Sequence, residues 1–371
     1  MAADSLIRRI AFSMIKGLNA GHAREILDAT GSVDAFFELP QTELWMRLGA
    51  VNRDLSDAGR QRLLDAAAAE AAFVEKHGIR VVLVGDSGYP LRLESCSDAP
   101  ALLYVRGNME AVDCNRAIAV VGTRNATAYG MEMTRRLVQD IADKICDVVI
   151  VSGLAYGIDV HAHRAAMAAG LPTVAVVAHG LNTLYPADHR DVASRMLHSG
   201  GAVVTEYTTA APIHRGNFLA RNRIVAGLSD AVIVVESDSR GGALSTARIA
   251  LNYGRAVGAV PGRVTDRYSR GCNNLIACDA AAIVRDAGDI ASQLGWSLKE
   301  AQGSQASFDF GTLPPRQQRV VDHLRKHPSD TADDISHALG TDFATMSALL
   351  MEMEMDDVIT ANPGGTYSVN I

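Results

Sequence analysis

Arg215, Arg221 and Arg223 fall within the segment HRGNFLARNR, 214–223, and no acid occurs from Tyr207 to Ser229, a window of 23 residues. Guanidinium groups free of carboxylates are suited to phosphate, which they grip through a planar fork of N–H donors. Phe218 stands among them beside Asn222; its ring either stacks on a nucleic-acid base or anchors the segment in the core. A second group, Gly122-Thr123-Arg124-Asn125, directly follows the apolar run IAVVG, and a helix is expected from about Thr127. Backbone N–H groups at such a turn form a phosphate seat to which Arg124 adds a charge. The spacing is neither G-x-G-x-x-G nor that of a P-loop, so no nicotinamide cofactor or ATP is indicated. In SGLAYGIDVHAHRAA, 152–166, Gly153 and Gly157 permit close backbone approach and Asp159 is placed to cap. His161 and His163 are two residues apart, which on a helix points them about 160° apart, so no metal site is expected. No Ser or Cys stands in a recognisable nucleophile elbow, and no catalytic residue is assigned. Gly241 and Gly242 open another helix in SRGGALSTARIA, 239–250, and AHGLNTLYPADH, PGR and GCNNLI supply further loops. Several such loops at one sheet edge favour a long polyanion over one small phosphate.

The elements that must position these loops are short β-branched runs separated by amphipathic segments. The runs are VVLV (81–84), IAVVG (118–122), VVIVSG (148–153), TVAVVA (173–178), AVVTE (202–206) and AVIVVE (231–236). Uninterrupted apolar runs mean strands buried on both faces, as in a parallel sheet covered by helices. An α/β, Rossmann-like doubly wound core is therefore expected over 81–296. Residues 1–80 read as a small helical domain, with a faint sterile-alpha-motif or helix-hairpin-helix character at Gly17–Gly31, where a plain packing role is preferred. A linker is expected at 297–311. Beyond it, Pro314-Pro315, the Thr331/Asp334 pair and the stripe Phe343, Met346, Leu349, Leu350, Met353 predict three helices, and VIT, NPGG and TYSV predict a hairpin. Residues 312–371 thus read as a winged helix.

Composition limits the partners. The 371 residues carry 35 basic and 42 acidic side chains, a net charge of −7, so any polyanion site must be local. The longest uncharged stretch, Ala165–Ala187, is broken by Gly170, Pro172, Gly180 and Pro186, and no membrane span is expected. No signal sequence is apparent, and five cysteines without a Cys-x-x-Cys pair suggest reduced thiols, so a cytoplasmic location is expected. The winged helix has four basic residues against nine acids, a net −5, and its third helical segment, Asp342–Asp357, has five acids and no base. Such a surface repels phosphates, and a protein contact is expected of it rather than DNA.

In order and spacing these segments resemble the DNA-processing protein A family (DprA, also called Smf), bacterial proteins of natural transformation. The resemblance runs from YPLRLESCSDAPALLYVRGN, 89–108, through VVGTRNATAYG, SGLAYGIDVHAHRAA, LNTLYPADH, FLARNRIVAGLSDAVIVVE, GGALSTARIA and VPGR to GCNNLI, about 200 contiguous residues. It implies a helical N-terminal domain, a Rossmann-like core and a winged helix. It also implies a non-enzymatic protein that binds single-stranded DNA cooperatively, dimerises through the core, protects incoming DNA and loads the recombinase RecA. The family's Gly-Ser-Arg loop becomes Gly122, Thr123 and Arg124. Its Phe-Pro-x-Arg-Asn-Arg motif reads Phe218-Leu219-Ala220-Arg221-Asn222-Arg223, preceded by Arg215. Thr123 keeps the hydroxyl, Leu219 replaces a proline, and Asn182 stands where an Asp is common. The contrasting reading is a Rossmann-like nucleotide phosphoribohydrolase. Such enzymes carry an acid in P-G-G-x-G-T-x-x-E, whereas SRGGALSTARIA has none.

Overall fold

The computed structural model describes residues 2–49, 55–299, 313–327, 330–356, 358–362 and 365–369. Residues 300–311 of the expected linker, Asp357, and Pro363-Gly364 of the expected turn lie outside the described residues. The chain forms two compact units, 1–299 and 300–371.

The first unit is built on nine strands: β1 (Arg80–Leu83), β2 (Leu102–Gly107), β3 (Arg116–Val121), β4 (Val148–Ser152), β5 (Thr173–Val176), β6 (Ala202–Thr205), β7 (Ala231–Val234), β8 (Ala256–Ala259) and β9 (Ala282–Ile283). Their order across the sheet is β1-β2-β6-β5-β4-β3-β7-β8-β9. From β6 to β9 every neighbouring pair is parallel. The two pairings that join β1 and β2 to this set are antiparallel. The run VVLV therefore falls on β1, an antiparallel edge strand rather than one of the parallel set, whose first residue, Arg80, is exposed. Strands β2, β8 and β9 add to the six expected runs.

Strands β4 to β6 extend the sheet on one side of β3, and β7 to β9 extend it on the other. This reversal puts a crevice outside the carboxyl ends of β3 and β7, where open α/β sheets take ligands. Burial alternates along β3: Ile118 and Val120 face one core, and Ala117, Ala119 and Val121 face the other. The helix Ala128–Lys144 buries Leu137, Val138 and Ile141, as its periodicity predicts. The N-terminal helices place Ile10, Phe12, Phe36 and Leu44 in the same core as Leu103 and Val105 of β2. The Gly17–Gly31 turn packs inward too: Ala20 N–H donates to the Ala99 carbonyl at 2.8 Å, and Asn19 bridges to Pro100.

The second unit has helices Pro315–Leu324, Ala332–Leu339 and Phe343–Met355 and a hairpin of β10 (Ile359–Asn362) and β11 (Thr366–Val369). Val320, Leu324, Ile335, Met346, Leu350 and Met353 form its core. The Thr331/Asp334 capping box is present. Phe343, expected in the apolar stripe, is instead 55% exposed, because it begins the third helix one turn before Met346 enters the core.

Candidate nucleic-acid interface

A cleft of about 660 Å³ occupies the crevice at the carboxyl ends of β3 and β7. Ten of the eleven residues singled out from sequence line it: Gly122, Thr123, Arg124, Gly153, Arg215, Phe218, Arg221, Asn222, Gly241 and Gly242. Arg223 does not. It turns away and pairs with Glu206 at 2.5 Å, both side chains being 17% exposed. On a helix Arg221 and Arg223 project in widely different directions, so both cannot face one cleft.

The three cleft arginines have different surroundings. Arg215, the first residue of the helix Arg215–Gly227, is exposed, and Arg124 is exposed in its loop. Arg221 is buried, and its guanidinium donates to the carbonyls of Gly153, at 2.6 Å, and Val176. Burial pushes its pKa down, opposed by the charge of buried Asp159. Asp159 in turn is pushed up by burial, opposed by Arg221 and by hydrogen bonds from Ala155, Gly153 and Ser152. The floor is thus formed by buried Arg221, whose hydrogen bonds hold the β4 loop, with buried Asp159 near enough to feel its charge. Gly153 belongs to the same arrangement: a Cβ there would enter the Arg221 guanidinium.

Arg124 lies over the Phe218 ring at 5.4 Å from its centroid, and the Tyr185 and Phe218 rings meet edge to face with centroids 5.5 Å apart. Phe218 is half-buried and Tyr185 is 47% exposed. Phe218 is therefore at the cleft surface in an aromatic–guanidinium group, the kind of group on which a nucleic-acid base stacks.

The seat expected after β3 is built differently from the sequence reading. The Glu236 carboxylate accepts from Thr127 N–H at 2.9 Å and from the Thr127 hydroxyl at 2.5 Å, while the Glu236 carbonyl accepts from Thr123 N–H at 2.7 Å. A carboxylate of the protein therefore already occupies the N-terminus of the helix Ala128–Lys144. Two helix N-termini reach the cleft: that of Arg215–Gly227, capped by the His214 side chain, and that of Gly242–Asn252, whose cap, Gly241, offers no side-chain bond. A Cβ on Gly242 would meet nothing within 4 Å, so that turn is open to a ligand.

His163 is fully buried, with Nδ1 at 2.7 Å from the Thr173 hydroxyl, and burial lowers its pKa to about 3. His161 is half-buried on the same helix. Among the described residues no group of His, Cys, Asp and Glu is arranged to hold a metal. The sequence reading missed Tyr185 and Asp238. Tyr185 lies in the loop AHGLNTLYPADH, where residue type and spacing do not set it apart. Asp238 is an acid in the cleft, neutralised by Arg267 at 2.6 Å.

The fold and site define a class: a Rossmann-like α/β protein with an arginine- and glycine-lined cleft at its switch point, joined in sequence to a winged helix. Residues 80–295 match the family described as DNA recombination-mediator protein A, and residues 311–365 match the DprA winged helix domain. The chain belongs to the DNA recombination-mediator protein A family. DNA processing protein DprA of Bacillus subtilis is 39% identical over 213 residues, covering 57% of this chain and 70% of that protein. Protein Smf of Escherichia coli is 34% identical over 283 residues, covering 75% and 74%. The X-ray structure of DNA processing protein A from Streptococcus pneumoniae matches with a TM-score of 0.64 at 31% identity, over 78% of this chain and 97% of that one. DNA processing protein A from Helicobacter pylori, described for its single-stranded DNA binding mode, matches with a TM-score of 0.51 at 29% identity, over 58% and 95%.

Proposed function

We propose that this chain binds single-stranded DNA in the cleft and acts in the cytoplasm as a non-enzymatic recombination mediator, protecting incoming strands during transformation and delivering them to RecA. The observation that carries the reading is the joint placement of exposed Arg124 and Arg215, the Phe218–Tyr185 aromatic pair and the open Gly242 turn on one cleft. These groups offer charge and stacking but no base-edge code, as a sequence-tolerant single-strand site requires. The Helicobacter pylori relative, described as binding single-stranded DNA, supports the same reading. Among the described residues no helix is long and apolar enough to cross a membrane.

The proposed organisation is a helical segment at 1–80, a DNA-binding core at 81–296, a linker at 297–311 and a winged helix at 312–371. A homodimer through the core is part of the proposal, with Ile283, 45% exposed on edge strand β9, as the candidate contact, since Leu275 and Ile276 pack against the unit's own core. The winged helix contacts protein rather than DNA.

Single and double strands of matched length, titrated at several salt concentrations, test the central claim. Single strands should bind without strong sequence preference, with a log–log salt slope of about −0.7 per phosphate neutralised. Arg124→Ala and Arg215→Ala should each weaken binding while the fold is kept. Salt-independent affinity, or preference for one duplex sequence, overturns the proposal.

A further inference from the structure

A second cavity, of about 330 Å³, lies on the other side of the loop that walls the cleft. Its lining includes Arg106 of β2, Asn182 and Thr183 of the loop, Arg190 and Ser194 of the helix Arg190–His198, and Val203 of β6. Arg106 and Arg190 are both exposed, and neither makes an ion pair or side-chain hydrogen bond among the described residues. No carboxylate lines the cavity. Some arginines of this unit are matched, Arg195 by Asp191, Arg223 by Glu206 and Arg267 by Asp238, whereas Arg106 and Arg190, like Arg124 and Arg215 of the cleft, are not and face one concavity. Two uncompensated cations around one concavity repel each other, and an anion between them removes that repulsion.

The loop joins the two sites physically. Tyr185 lines the cleft, while Leu181 to Leu184 line the second cavity. It is fixed at both ends, because Asn182 Nδ2 donates to the Thr209 carbonyl at 3.2 Å and Tyr185 N–H donates to His179 Nε2 at 3.1 Å. A strand with a base against Phe218 and Tyr185 that left the cleft over this loop would run toward the cavity that Arg190 and Arg106 line. We infer that the cavity between Arg106 and Arg190 is a second phosphate-binding subsite for the same single strand, reached across Leu181–Tyr185. The inference rests on the reading of the cleft as a single-strand site.

Fluorescence anisotropy with oligothymidylates of about 4 and about 16 nucleotides, the ends of the range for single-strand grooves, tests it. The double variant Arg106→Ala/Arg190→Ala should bind the short strand as the parent does and the long strand about tenfold more weakly, with a salt slope smaller by about 1.4. Arg106→Lys/Arg190→Lys should keep the slope, since a phosphate contact needs the charge. Unchanged long-strand binding in a folded double alanine variant overturns the subsite, and so does an equal loss at both lengths, which would make the arginines part of the first site. Arg124→Ala separates this from the underlying reading. It should weaken both lengths, and if it changes neither, the cleft itself has been misassigned.

Discussion

Arginine side chains close in sequence have three separate fates here. Arg215 is exposed at the cleft, Arg221 is sealed into the floor, and Arg223 is consumed by Glu206. The acid-free window made all of them legible as a cluster, but a helix distributes its side chains around an axis, and sequence proximity says nothing about which buried acid waits on the other side. Arg223→Ala should therefore act on stability before binding. It leaves the Glu206 carboxylate buried without its partner, at a cost of about 3–5 kcal/mol near neutral pH. The pH dependence has a definite sign. Burial holds the Glu206 pKa above its ordinary value despite Arg223, and removing Arg223 raises it further. A carboxyl raised in the folded state contributes stability below its unfolded pKa of about 4.3 and loses it as pH rises through the folded value. The loss in the variant should thus be smaller at about pH 5 than at about pH 8, measured by denaturant melts. An Arg223→Ala variant as stable as the parent at both values would show that the pair does not carry the burial.

At the scale of elements, the cleft exists because two loops approach more closely than side chains allow. Gly157 has φ +76°, and a Cβ there would strike the carbonyl groups of Thr123 and Arg124, so the β4 loop is pressed directly on the β3 loop. Ile158 N–H donates to the Thr123 carbonyl at 3.1 Å across the same contact. Gly157→Ala should cost about 1–3 kcal/mol in backbone strain and also lower single-strand affinity, because Arg124 moves with its carbonyl. Loss of stability without loss of affinity, from melts and anisotropy on one preparation, would mean that the Arg124 position is set elsewhere. Glycines at these loops were legible because strand-to-helix turns need them. Strands β2, β8 and β9 were less so, for specific reasons. Gly258 interrupts the apolar run of β8 because Val284 and Ile233 fill the space of its missing side chain. Strand β9 is two residues long, and β2 ends in the exposed pair Arg106-Gly107. Equally hidden was Glu236, the last residue of the run AVIVVE, whose carboxylate caps a helix that begins over a hundred residues earlier.

For the molecule as a whole, charge separates the two units more sharply than fold does. The cleft residues all lie within 1–299, which also contains the core that positions them. The second unit has its own core, and its third helix presents Met351 and Met355, 66% and 83% exposed, beside Glu352, Glu354 and Asp356. Acids in the last turn of a helix oppose its dipole, and no basic residue offsets them there. An electrostatic cost of this kind at an exposed apolar surface fits a cationic, partly apolar protein contact better than a phosphate backbone, which would meet the same negative field. The consequence is quantitative. Residues 1–299 alone should bind a short single strand within about twofold of the full chain and with the same salt slope, since no phosphate contact is lost. Residues 300–371 alone should fold and leave their amide NMR signals unmoved by DNA. A smaller slope in the truncated protein, or DNA-dependent shifts along the helix Phe343–Met355, would place phosphates on the winged helix and remove the argument that its acids exclude them.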